Sequence, residues 1–128
     1  MKKNNKGFTL AELLIVVAII AVLVAIAIPV FTAQLERARE ATDIANIRSA
    51  YAEVMTNYLI DEDDTFTIDV ESKQGVDGWQ GDAGVLVYQT NGTQSNYPIP
   101  AANVGQTYTV GITVNATTGA VTPNITVG

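Results

Sequence analysis

From Leu13 to Ile28 every side chain is Ala, Val, Ile or Leu, and the wider stretch from Phe8 to Phe31 is interrupted only by Thr9, Glu12 and Pro29. As a helix it would be about 36 Å long at ~1.5 Å per residue, enough to cross a hydrocarbon core of ~30 Å. Beyond Pro29 the apolar residues recur every three or four positions, at Phe31, Leu35, Ala38, Ala41, Ile44, Ile47, Tyr51, Val54 and Tyr58. That is the period of an amphipathic helix, with the stripe as the surface on which a sheet packs. Glu36, Arg37, Arg39, Glu40, Asp43, Arg48 and Glu53 fall on the other face and read as solvated charge or subunit contacts. No Gly or Pro lies between Val30 and Ile60. One helix from about Phe8 to Ile60, roughly 80 Å long, is therefore expected. It should be kinked near Ala25–Pro29, where the proline ring removes a hydrogen bond and crowds the preceding turn.

Four acids, Asp61-Glu62-Asp63-Asp64, end the helical pattern. The run lacks the spacing and glycine of an EF-hand, so it reads as a solvated connector rather than a calcium loop. Phe66, Ile68 and Val70 suggest a short strand, and Gly75, Gly78 and Gly81 around Trp79 a surface loop, with Trp79 capping a thin core. A β-rich run at Val85–Tyr88 leads to an Asn91-Gly92 turn. Tyr97-Pro98-Ile99-Pro100 reads as extended loop. Tyr108, Val110, Ile112 and Val114 alternate with Thr and Gly, and after a turn at Asn115–Gly119 an edge strand carrying Pro123 returns over Ala120–Val127. The fold class expected is α+β: the long helix packed on a small antiparallel sheet of three or four strands.

The net charge of −6 conceals an asymmetry. The head holds Lys2, Lys3 and Lys6 and no acid, so the chain after residue 7 carries −9. An acidic chain disfavours phosphate contacts, which argues against direct binding of nucleic acid. With no cysteine and no histidine, disulfides, thiol nucleophiles, the usual zinc sites and imidazole acid–base chemistry are excluded. No nucleophile–base pair, metal cluster or phosphate loop stands out, so no catalytic residue, metal or cofactor is assigned. Lysines only before the apolar stretch place its N-terminal end in the cytoplasm.

Glu12 is the anomaly. A carboxylate inside an apolar span costs roughly 2.5–3.5 kcal/mol even on insertion scales, so it requires a partner. A cleaved secretory signal ending at Ala25-Ile26-Ala27 would have a shorter apolar core, of ~7–15 residues. A plain signal anchor accounts for the length but leaves Glu12 unexplained. Ala11, Ala18 and Ala25, seven apart, form a small-residue stripe along which other helices could approach. Asn91-Gly92-Thr93, Asn115-Ala116-Thr117 and Asn124-Ile125-Thr126 fit the N-glycosylation pattern, which arises often by chance in Asn- and Thr-rich sequence. Phe8, Phe31, Tyr51 and Tyr58 read as packing residues rather than a conduction path.

Lys6-Gly7-Phe8-Thr9-Leu10-Ala11-Glu12-Leu13, the apolar run and Pro29 together resemble the class III signal of type IV pilins and pseudopilins. The resemblance covers residues 1 to about 60. It implies that a prepilin peptidase cuts between Gly7 and Phe8 and methylates the new amine of Phe8. It implies that Glu12 pairs with the terminal amine of a neighbouring copy and sets the register, with Ala11, Ala18, Ala25 and Pro29 in the assembly helix. The divisions expected are a leader over 1–7, a transmembrane and polymerisation helix over 8–31, an amphipathic helix over 32–60 and a β-rich region over 61–128. The function implied is a structural subunit of a type IV pilus, a filament for adhesion, motility or aggregation. A pseudopilin of a secretion or competence machine, or a minor pilin holding DNA or a host ligand, are the alternatives. Partners implied are other copies of the chain, the peptidase, the assembly platform with its ATPase, and the membrane before assembly. In two respects the chain departs from the family. Ala21 stands where many members have a helix-weakening glycine, and without cysteine the family's usual C-terminal disulfide cannot form.

Overall fold

The computed structural model describes residues 7–128. A single helix, α1, spans Leu10–Asp61, and five strands follow: β1 (Ile68–Glu71), β2 (Val85–Thr90), β3 (Thr93–Pro98), β4 (Thr107–Val114) and β5 (Val121–Val127). The chain forms two compact units, one ending at Gln34 and the other running from Leu35 to Gly128. In the first, α1 continues through Pro29 without interruption, and every side chain from Gly7 to Gln34 is exposed. The segment is long and apolar enough to cross a membrane, and none of it is buried within the chain.

In the second unit, β1, β4 and β5 form an antiparallel sheet in the order β1-β4-β5, and β2 and β3 form a separate hairpin. The register pairs Val70 with Tyr108, Val110 with Ile125 and Ile112 with Pro123, placing their side chains on one face. That face meets Ile47 and Ala50 of α1, Leu86 of β2, and Ile99 and Ala102 in one buried cluster, with Trp79 packed at its margin. The opposite face carries Asp69, Glu71, Thr107, Thr109, Thr113, Thr122, Asn124 and Thr126. The antiparallel sheet on a helix follows the pattern of the sequence; the return strand β3 does not. Tyr97 and Pro98, expected in a loop, end that strand and pair with Leu86 and Val85. Gln94-Ser95-Asn96 is polar on both faces, so no alternation announces it. Its turn is as expected: Asn91 and Gly92 both have positive φ, the requirement of a type I′ hairpin.

The buried stripe of α1 corrects the sequence reading most. It consists of Glu36, Glu40, Asp43, Ile47, Ala50 and Val54. Ile47 and Val54 were expected there and Ile44, Tyr51 and Tyr58 are half-buried, but Phe31, Leu35, Ala38 and Ala41 are exposed. The carboxylates are buried because the loop after β1 offers unpaired backbone N–H groups that need acceptors. Gly75 and Val76 donate to Glu36 at 2.9 to 3.0 Å. Gln80 and Gly81 donate to Glu40, and Lys73 N and the Ser72 hydroxyl to Asp43. Arg39 lies 3.6 Å from Glu36. Spaced four and three residues apart, the three acids make a ladder on one side of α1 that fastens residues 72–81. Gly84 completes the approach, since a Cβ there would lie 2.9 Å from Ile44 and 3.1 Å from Trp79.

Beneath the ladder, Tyr108 is wholly buried. Burial first, then the neighbouring carboxylate of Asp43, pushes its phenol up to about 12. At the end of α1, Glu62 takes a positive φ and donates its N–H to the Tyr58 carbonyl at 2.8 Å, an αL termination made without glycine. The Thr65 hydroxyl and N–H hold the carboxyl of Asp63 below the usual carboxylate range.

No disulfide holds the C-terminal strand; hydrogen bonds do. Thr107 and Gly128 exchange both backbone bonds, at 2.9 and 3.1 Å. This phase turns the backbone groups of Val121, Pro123 and Ile125 away from β4. Thr90 Oγ1 donates to the Val121 carbonyl at 2.8 Å. The Tyr97 hydroxyl accepts from Ile125 N at 3.2 Å and donates to its carbonyl at 3.4 Å. Pro123, having no N–H, offers no donor of its own at this edge. The hairpin thus covers part of an edge that would otherwise be free to pair with another strand.

Candidate assembly segment

The site residues named from the sequence all lie in the first unit. Gly7 and Phe8 precede the helix, and Phe8 is 77% exposed. The bond between them therefore lies outside regular structure. Thr9 is the N-cap of α1. Its N–H donates to the Glu12 carboxylate at 2.8 Å, and the Glu12 N–H donates to Thr9 Oγ1 at 3.2 Å. This reciprocal pair is a capping box, satisfying two of the amides that a helix leaves open at its start. The carboxylate also sits at the positive end of the helix dipole. Sequence reasoning sought Glu12's partner on another chain and passed over Thr9. The signal that identifies it is Thr-x-x-Glu directly before an apolar run.

The cap lowers the cost of Glu12 in an apolar setting without neutralising it. One carboxylate oxygen receives the Thr9 amide, and no cation lies within ion-pair distance of it among the described residues. A positively charged amine would bind this oxygen more strongly than a neutral amide does. At ~100° per residue, Ala11, Ala18, Ala25 and Pro29 fall within about 40° of one another on the helix, and all are exposed. The structure thus gathers them into a single narrow face. On the same element Thr32 Oγ1 donates to the Ile28 carbonyl at 2.9 Å, beside the hydrogen bond that Pro29 cannot make.

A family model described as a prokaryotic N-terminal methylation motif matches residues 2–28. The type IV narrow pilus major component PilA5 of Thermus thermophilus is 33% identical over 115 residues, covering 86% of this chain and 97% of that protein. The chain belongs to the type IV pilin family. It is also 48% identical over 48 residues to the type IV major pilin protein PilA of Myxococcus xanthus and 50% identical over 48 to the type IV wide pilus major component PilA4 of T. thermophilus. Those matches cover 38% of this chain but only 22% and 37% of the two relatives. No solved structure matches the chain significantly. Within the pilin family, a long helix carried on into a small antiparallel β region is the architecture that the sequence resemblance implied.

Proposed function

We propose that this pilin is the structural subunit of a type IV pilus. It waits in the membrane through residues 8–31, is cleaved between Gly7 and Phe8, is N-methylated at Phe8 and passes into a helical filament. The observation that carries this reading is Glu12. It sits one turn into an exposed apolar helix, held among the described residues by a neutral amide, where a neighbour's terminal amine could replace that amide. The similarity of nearly the whole chain to a named major pilus component supports a polymerising role over a pseudopilin or tip role. The excess of acids argues against direct contact with nucleic acid. The lysines at positions 2, 3 and 6 would hold the head in the cytoplasm, and their removal would release that anchor.

Glu12→Ala tests the registry role. The variant should be inserted and cleaved as the parent is, while filaments sheared from the surface fall at least tenfold, roughly the effect of 1.4 kcal/mol per subunit. Normal piliation by the variant would remove Glu12 from assembly.

A further inference from the structure

Beyond residue 7 the chain has four side-chain cations against 13 acids, so copies packed side by side repel unless their few cations meet acids. Two of the four are engaged within the chain: Arg39 with Glu36, and Lys73 with Glu71. Arg37 and Arg48 have no carboxylate within ion-pair distance among the described residues, and both are exposed. At ~100° per residue they share one flank of α1 with Ala41 and Leu59, about 100–140° from the centre of the buried stripe. Leu59 is 74% exposed, so the flank is basic and apolar together. Arg48 is steadied there by donating to the Val85 carbonyl at 3.2 Å. The complementary surface is also on this chain. At the end of α1, Ile60 is 73% exposed and runs directly into Asp61, Glu62, Asp63 and Asp64, none with a cation in reach among the described residues.

We propose that the Arg37–Arg48 flank of one subunit docks the Ile60–Asp64 elbow of a second copy in the filament. This rests on the pilin reading. The two patches are different places on one molecule, so the contact is heterologous and repeats without closing, as an open helical polymer requires. Asp61 lies 13 residues beyond Arg48 and 24 beyond Arg37 on the same helix. Neighbours displaced by about 20–36 Å along the helix axis therefore bring arginines against acids. Each pair is weak alone, but the contact recurs at every subunit, and it discourages unrelated acidic chains from co-assembling.

The test uses the full-length chain expressed in place of the native gene, with filaments sheared from cells and the membrane pool measured alongside. Arg37→Glu with Arg48→Glu, and separately Asp61→Arg with Asp64→Arg, should each reduce sheared filament several-fold while the cleaved membrane pool persists. Combining all four should restore most of the loss. Because the chain has no cysteine, a second readout is clean. Arg48→Cys with Asp64→Cys should give a ladder of cross-linked subunits in filaments and monomer in the membrane pool. Arg48→Cys with Thr126→Cys, placed on the outer sheet face, should give no ladder. Failure of the four-fold variant to recover, or an equal ladder from both cysteine pairs or from neither, overturns the contact. The unmodified chain in the same assay reports on the pilin reading itself: if it yields no filaments, that reading falls and the contact with it.

Discussion

Glu12 and Thr9 show how one residue serves two environments. In the chain described, the capping box gives Glu12 a local partner, so a carboxylate near the start of an apolar helix need not wait for a neighbour. The N–H it binds is neutral and replaceable, which keeps the oxygen open to a cation. Tyr97 has a comparable double role on β5, donating to and accepting from Ile125 at once. Tyr97→Phe should lower stability by about 1–2 kcal/mol, from two hydrogen bonds lost at a half-buried edge. It should also promote self-association through the opened strand, read by denaturant unfolding and by light scattering of the solubilised chain. Unchanged stability would mean that the hydroxyl contributes nothing there. Tyr108 sets an alkaline limit. Its phenol is raised from the ordinary 10.0 to about 12, so its stabilising effect is complete below pH 10 and is lost as pH rises towards about 12. Denaturant unfolding across that range should show the decline, and Tyr108→Phe should remove its share. An identical decline in the variant would place the cause in other groups.

At the scale of elements, the acid ladder of α1 decides how the β region is fastened. Three carboxylates facing inward from a helix are uncommon, since buried charge is costly unless hydrogen bonds compensate. Here each acid receives donors from residues 72–81, so the loop's amides and the helix's acids satisfy one another. Asp43→Asn should cost about 1.5–3 kcal/mol, in the range of hydrogen bonds to a charged group. Amide hydrogen exchange at Lys73, Gly75 and Gln80 should accelerate, while Glu53→Gln on the exposed face leaves it unaltered. Equal protection in both variants would show that the ladder does not hold the loop. This element also marks how far the sequence could be read. The strand β4 was legible because Tyr108, Val110 and Ile112 alternate against Thr and Gly, the mark of a one-sided sheet. The helix was legible because nothing between Val30 and Ile60 breaks it. The ladder was not, because Glu and Asp on a helix ordinarily face water, and their partners are backbone amides more than 25 residues away that carry no side-chain signature. The strand β3 was hidden for a related reason: its pairing rests on a turn and main-chain bonds rather than on an apolar face.

For the molecule as a whole, the two units divide the work. The segment before Leu35 exposes an unbroken apolar helix that must be covered by lipid or by other copies. The unit from Leu35 onward completes its own core and covers part of the β5 edge, which suits a subunit that packs beside its copies without strand exchange. Both fit the passage from membrane to filament proposed for this pilin, in which processing at Gly7–Phe8 is the proposed step between. The N-terminal mass of the chain recovered from sheared surface filaments tests this most directly. The account predicts a chain that begins at Phe8 and is heavier by a single methyl group. A chain beginning at Ile28, after the Ala25-Ile26-Ala27 site, or one retaining Met1, would contradict it.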